Sequence, residues 1–322
     1  MTAATTRPLA VYADIVDLDP TPGVRRLQEA GFDVRILDTA DPDAIVAGAR
    51  DASALLIGYA PVTASMLADL PGLQVIATQS VGVDTVDLDA CRARGVTVRN
   101  VPGAATEEVA AHALAMSLAL MRGLPFLDRA VSDGRWDGTD EPLLRPSELT
   151  VGVLGLGRIG AAYARMVRPL VARVVGYDPV AEAPHGVEQR TLDEVLEASD
   201  LLSLHLPSTD ETRGMLDAGR LARLRRGALL VNVSRGDLVV PEDLIAALDA
   251  GQVGAAALDV LSQEPPAAGD ALVGHPRTLV TPHVAYLSAA SARDYVLHQA
   301  EAVVQHFAGS PTPIGATSRD SG

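Results

Sequence analysis

The chain has 322 residues, more than one compact core usually grows around and enough for two. Apolar residues make up 48% of it and charged residues 21%, the mix of a folded protein rather than a disordered one. A formal net charge of -15 disfavours a nucleic-acid partner, and all 26 basic residues are arginine, which excludes Schiff-base lysine catalysis and the Gly-Lys-Ser/Thr phosphate loop.

From Pro8 to Arg99 short apolar runs alternate with amphipathic stretches of helical length, the rhythm of β-α-β units. Strands are predicted from Leu9 to Tyr12, Val34 to Leu37, Ala54 to Ile57, Gln74 to Ala77 and Val96 to Val98, with helices such as Thr21 to Ala30 and Thr63 to Leu70 between them. The lone Cys91 has no partner for a disulfide and reads as a small buried apolar residue. Neither a leader pattern nor a run of membrane-spanning length stands out, so a cytoplasmic protein with no membrane partner is expected.

Ala105 to Met121 follows as a long Ala-rich helix, opened by Glu107 and Glu108 and apolar nearly all round. Such a helix is expected to be buried between domains or against a second subunit, with His112 on the subunit face. A second series opens at Leu149, where LTVGVL reads as a buried strand, then a Gly-rich turn and a helix through Arg168. Further strands are predicted from Ala172 to Tyr177, Leu201 to Leu204, Ala228 to Asn232, Ala255 to Leu258 and Thr278 to Val280. An amphipathic helix from Ser288 to Phe307 is expected to return to the first domain, and the polar stretch Ser310 to Gly322 to be disordered.

The fold class is therefore α/β, with two Rossmann-like doubly wound parallel-sheet domains facing each other across a cleft. The expected division is 1-104 plus 285-322 for a discontinuous, flavodoxin-like domain and 105-284 for the other.

Gly155, Gly157 and Gly160 give the spacing G-x-G-x-x-G directly after a predicted strand and at the start of a predicted helix. The first permits a tight turn, the second lets backbone approach a pyrophosphate, and the third lets helix and strand pack closely. Asp178 ends the next strand, where a carboxylate can hold both ribose hydroxyls and repel a 2′-phosphate. The expected cofactor is NAD, bound by the domain 105-284, with Arg158 helping to hold the pyrophosphate.

Three later residues stand at the ends of predicted elements: Arg235 in VNVSRGDLV, Glu264 in ALDVLSQEPP and His283 in TPHVAYLS. With GLGRIG ahead of them, this ordered set resembles the D-isomer-specific 2-hydroxyacid dehydrogenases over nearly the whole chain, from about Leu9 to Phe307. GYAPVT and the aromatic after PHVA are most similar to the C-terminal-binding-protein-like branch. The resemblance implies hydride transfer between NAD and the α-carbon of a small 2-oxo or 2-hydroxy acid, with a D product.

In that scheme His283 exchanges a proton with the carbonyl oxygen, Glu264 fixes the imidazole tautomer, and Arg235 clamps the substrate carboxylate through its planar fork. Backbone N–H groups around Val81 and Gly82, in a loop that opens at Ser80, hold the other carboxylate edge. Tyr59 and Tyr286 flank the substrate side chain. Cofactor contacts implied in the same way are Ile159, His205, Pro207, Thr212, Val233, Ser234 and Asp259, the last also supporting Glu264 and His283. Trp136 is implied in a dimer arm or the active-site wall, with plain packing as the alternative reading.

His112, His185, His275, His298 and His306 show no metal-ligand spacing, so no metal is expected. The loop Gly58 to Thr63 offers no cation for a phosphorylated acid, and no regulatory domain is expected after Phe307. Glu264 stands where formate-oxidising relatives carry Gln, and the absence of lysine disfavours phosphite oxidation. The expected substrate is an unphosphorylated acid with an apolar or aromatic side chain, and the expected assembly a homodimer. The alternative is an NAD-sensing scaffold, or corepressor-like binding protein, of the same fold.

Overall fold

The computed structural model of the protein describes residues 7–15, 18–138 and 142–309. The stretch Ser310 to Gly322, read above as disordered, lies outside the described residues. The chain divides into two compact units, Met1–Ala105 with Leu287–Gly322, and Thr106–Tyr286.

The first unit is built on a parallel sheet of β1 (Leu9–Tyr12), β2 (Asp33–Ile36), β3 (Ala54–Ile57), β4 (Val75–Thr78) and β5 (Thr97–Arg99). The strand order is β2-β1-β3-β4-β5, so the winding reverses between β1 and β3. β3 and β4 are buried along their whole length, as helices covering both faces of a parallel sheet require, whereas the edge strand β2 carries Asp33 and Arg35. Leu55, Ile57 and Ile76 are fully buried on one face, and Leu56, Val75 and Ala77 on the other. Truncating one of the large aliphatic side chains to Ala costs about 2–5 kcal/mol.

The helix Ala289–Phe307 packs on this sheet. Its N-terminus is fixed by a capping box between Ser288 and Ser291. Its buried Gln299 donates to the carbonyls of Ile57 and Ala77 at 2.9 and 2.8 Å, which ties down the ends of β3 and β4 just before their loops begin.

The second unit holds a parallel sheet of β6 (Thr150–Leu154), β7 (Arg173–Tyr177), β8 (Glu188–Gln189), β9 (Leu201–Leu204), β10 (Ala228–Asn232), β11 (Val253–Leu258) and β12 (Thr278–Val280). Its order, β12-β11-β10-β9-β6-β7-β8, reverses between β6 and β9. A ligand crevice in such a sheet lies beyond the carboxyl ends of the strands at this reversal. The sequence pattern missed β8, a two-residue exposed edge strand with too few apolar positions to show a period.

The helix Thr106–Met121 buries one face rather than its whole circumference. Val109, Ala110, Ala113, Met116, Ser117, Leu120 and Met121 lie inside the second unit, against the helix Arg158–Val167 and strands β10 and β11. Ser117 bonds the Tyr163 hydroxyl at 2.8 Å across that helix pair. His112 is taken up within the same unit, where it contacts Thr281 and Asp259. The small Ala side chains that made the sequence look apolar all round leave Ala111 and Ala115 exposed on the outer face.

Candidate active site

The glycine turn leaves β6 where the strand order reverses. Gly155 has φ +93°, and a Cβ there would lie 2.6 Å from the carbonyl carbon of His205 at the end of β9. A Cβ on Gly160 would sit 1.8 Å from the Gly155 carbonyl oxygen, so only glycine lets the helix start this close to the strand. The helix Arg158–Val167 has Gly157 at its N-cap and no capping side chain, and a Cβ at 157 would meet nothing within 4 Å. Uncapped N–H groups beside open space form a cradle that fits a pyrophosphate. Arg158 is exposed at this mouth and Ile159 half-buried behind it.

Asp178 builds the turn as well as following β7. Its Oδ2 accepts the Leu156 N–H at 2.7 Å, and its Oδ1 accepts those of Val180 and Ala181 at 2.8 and 2.7 Å. A carboxylate offers about four acceptor positions, so one remains for a ribose hydroxyl.

His205 sits against the back of the same turn. Its Nε2 pairs with the Ser203 hydroxyl at 2.9 Å, its ring lies 5.0 Å from that of Tyr163, and its Nδ1 is sealed from solvent. Burial pushes its pKa down to about 3. Unfolded chains therefore bind this proton more readily than folded ones, and the stability is complete above about pH 6.5 and lost as pH falls toward 3, by up to about 1.4 kcal/mol per unit. Urea melts at pH 7 and pH 5 are expected to show His205→Gln losing less stability on acidification than the parent. Equal losses would remove the assignment.

The residues after β9 and β10 close on one another. The Thr212 hydroxyl donates to the Pro207 carbonyl at 2.7 Å, and the Ser234 hydroxyl donates to the carbonyl of Leu206. Val233 is buried at 8% exposure. Buried Asn232 shapes the next turn, accepting the Ser234 N–H at 3.0 Å and donating to the Arg235 carbonyl at 2.8 Å. A Cβ on Gly236 would fall 1.9 Å from the Leu261 carbonyl carbon. That close approach sets half-buried Arg235 against the loop that carries Glu264.

Glu264 joins the remaining pieces. Its Oε1 accepts the Leu261 N–H at 2.8 Å, and its Oε2 lies 2.6 Å from His283 Nδ1. Burial opposes ionisation of this carboxyl. The His283 hydrogen bond, the Leu261 N–H and the charges of His283 and Arg235 together outweigh burial and hold it below the usual carboxylate range. An ionised Glu264 only accepts, which assigns a proton to His283 Nδ1 and directs Nε2 to other chemistry. His283 is left-handed at φ 52°, a conformation rare outside glycine, held by its N–H bonds to the carbonyls of Asp259 and Thr281 at 2.8 and 3.0 Å. The Tyr286 ring stands edge-on to the imidazole at 6.3 Å.

In the first unit two loops follow the strands beside the reversal. The buried carboxylate of Asp14, just after β1, accepts the N–H groups of Gly58, Tyr59 and Ala60 at 2.8, 2.6 and 3.1 Å, spanning the reversal and fixing the loop on which Tyr59 is 49% exposed. In the second loop the carbonyls face inward. Ser80 O accepts from Thr78 Oγ1 and Val101 N, Val81 O from Asn100 Nδ2 at 2.7 Å, and Gly82 O from Ser80 Oγ at 2.6 Å. The N–H groups of Val81 and Gly82 are left without an acceptor among the described residues, an arrangement that suits an anion.

The sequence reading missed Asp14, Asn100, Thr281 and His112 as supports of these loops. Asp14 and Asn100 each stand just after a strand as a polar residue able to bond its own turn, a signal that could have been read. Trp136 is 89% exposed, which rules out the plain packing reading. Cys91 is buried, and burial raises its thiol pKa. Among the described residues no group of three His, Cys, Asp or Glu side chains could hold a metal, and no single helix is long and apolar enough to cross a membrane.

Comparison with known proteins identifies the family. Residues 114–285 match the model of the D-isomer specific 2-hydroxyacid dehydrogenase NAD binding domain. The chain is 39% identical over 267 residues to the D-3-phosphoglycerate dehydrogenase of Mycobacterium tuberculosis, covering 81% of this chain and 50% of that protein. It is 35% identical over 281 residues to the glyoxylate reductase of Korarchaeum cryptofilum, with 84% of each covered. The solved TT0316 protein of Thermus thermophilus superposes with a TM-score of 0.86 at 32% identity, over 95% of this chain and 100% of that one. The chain thus spans about half the length of the phosphoglycerate dehydrogenases it matches. It belongs to the D-isomer specific 2-hydroxyacid dehydrogenase family, and NAD is the cofactor of the matched domain.

Proposed function

We propose that the protein is an NAD-dependent oxidoreductase that interconverts a small, unphosphorylated 2-oxo acid and its D-2-hydroxy acid. The observation that carries this reading is the His283–Glu264 pair at 2.6 Å, with the Arg235 charge acting on the same carboxylate, in the unit that also holds the glycine turn.

When bound, NADH supplies the hydride that C2 of the 2-oxo acid takes up. His283 donates its Nε2 proton to the carbonyl oxygen and is reprotonated from solvent. Glu264 stabilises the doubly protonated imidazole before transfer and keeps the remaining proton on Nδ1 afterwards. Arg235 binds the substrate carboxylate through its planar fork. The glycine turn would hold the dinucleotide, with Asp178 offering an acceptor to a ribose hydroxyl and Ile159, Pro207, Thr212, Val233, Ser234 and Asp259 lining or supporting that cradle.

Support for an unphosphorylated substrate comes from the loop Gly58 to Thr63. It carries no cation, and its first three N–H groups are already occupied by Asp14, so it has little to offer a phosphate. Tyr286, edge-on to the His283 imidazole at 6.3 Å, favours an apolar or aromatic side chain. A homodimer is supported by exposed Leu124, Val131, Leu143 and Trp136, which cluster within a short stretch of the second unit. The single buried Cys91 suits the reducing cytoplasm.

The test is oxidation of NADH and of NADPH with a panel of phosphorylated and unphosphorylated 2-oxo acids, followed by chiral analysis of the product. Turnover with NADH, of unphosphorylated acids, to a D product is expected. Tight NADH binding with no turnover of any acid would instead favour the sensing scaffold.

A further inference from the structure

Asp259 is the anchor of the loop that bears His283. Its carboxylate is 1% exposed. Oδ1 accepts the Thr281 hydroxyl at 2.5 Å and the Val284 N–H at 3.0 Å, Oδ2 accepts the Ala285 N–H at 2.9 Å, and the backbone carbonyl accepts the His283 N–H at 2.8 Å. One buried side chain thus grips the residues on both sides of the left-handed His283. A buried carboxylate is tolerable only when hydrogen bonds replace its lost hydration, so its donors decide how firmly it is held.

His112 completes the chain from a different element. The Thr281 hydroxyl has one proton, and at 2.5 Å that proton belongs to the Asp259 carboxylate. His112 Nε2, 3.1 Å from the same hydroxyl oxygen, must therefore be the donor of their hydrogen bond. The same nitrogen lies 3.7 Å from Asp259 Oδ1. A relay results, from His112 Nε2–H to Thr281 Oγ1–H to Asp259 Oδ1, polarised in one direction so that each bond strengthens the next. It pins the loop to the helix Thr106–Met121, whose adjoining face is buried in the unit's core.

We propose that His112 is a positioning residue for the proton donor: by donating from Nε2 to Thr281 it holds Asp259, and through Asp259 the backbone of His283, in the orientation that presents Nδ1 to Glu264. The His112 ring reaches Thr281 and Asp259, so it acts through the loop.

The turnover arm of the test rests on the dehydrogenase reading, and a spectroscopic arm does not. His112→Leu keeps the bulk and removes the donor, whereas His112→Gln puts an amide N–H near the position of Nε2. In ¹⁵N-histidine-labelled full-length protein, the His283 ring signal, assigned by its loss in His283→Asn, reports the Nδ1–H bond to Glu264. His112→Leu is expected to move that signal toward the free-imidazole position, and His112→Gln to restore it.

In turnover, His112→Leu is expected to lower kcat about 10-fold while KM and NADH affinity stay within about 2-fold, and the Gln variant to recover most of the loss. Thr281→Val breaks the relay at its middle and guards against a Leu variant that does not fold. Adding His112→Leu to it should cost less than a further 2-fold, since the link is already cut. An unmoved His283 signal in the Leu variant, a Gln variant as impaired as Leu, or additive losses in the double variant would each overturn the proposal. A wild-type protein without turnover, but with the His283 signal shifting as described, would sink the dehydrogenase reading and leave the positioning role standing.

Discussion

Replacing His283 by Asn is expected to lower the rate of 2-oxo acid reduction by about 10²-fold or more, because a positioned acid contributes on that scale and asparagine has no proton to give. The choice of Asn isolates the chemistry. Position 283 is left-handed at φ 52°, and Asn tolerates that region better than any residue but glycine, so the loop on Asp259 keeps its course. The amide can still reach toward Glu264, which preserves much of the local bonding.

NADH affinity should therefore change little, and single-turnover absorbance at 340 nm should show the deficit in the reductive step itself. A rate within about 3-fold of wild type would mean that the proton comes from elsewhere. Glu264 makes a companion case. Its carboxyl is held below the usual range, so it accepts the Nδ1 proton throughout the neutral region and stops doing so only under acid conditions.

The sequence shows most of what positions this site because parallel sheets bury whole strands. Runs such as ALLI, VIAT and LLSL have no other stable use, and their ends lie within a residue or so of the observed strands. The glycines at 155 and 160 are legible for a similar reason. The contacts their missing Cβ atoms would make, 2.6 and 1.8 Å, leave no alternative residue.

What stays hidden is support given across long sequence separations. Nothing in the spacing of His112 and Thr281, or of Asp14 and Tyr59, announces a hydrogen bond, since the fold alone brings them together. Alanine misleads in the other direction. The helix Thr106–Met121 is apolar by composition, yet it buries only one face, because Ala costs little when exposed.

Replacing Arg235 by Lys is expected to lower kcat/KM for the 2-oxo acid by about 10²–10³-fold, which is about 3–4 kcal/mol at 1.4 kcal/mol per tenfold. The charge survives the change, so the size of the loss measures what the planar fork adds. The fork is held in place. Asn232 and the close approach of Gly236 to Leu261 fix the backbone at 235, and Nη1 bonds the Ser234 carbonyl at 2.8 Å. A lysine ammonium on a flexible stem can attract the substrate carboxylate but cannot present two parallel N–H bonds to it. The loss should fall on both KM and kcat, because a carboxylate bound by one point leaves the carbonyl free to swing away from His283. NADH affinity, measured by fluorescence titration, should stay within about 3-fold, while an unreactive carboxylate analogue of the substrate should bind at least 10-fold more weakly. If the Lys variant kept kcat/KM within about 5-fold, Arg235 would be acting as a general positive charge, and its planar fork would not be what orients the substrate carboxylate.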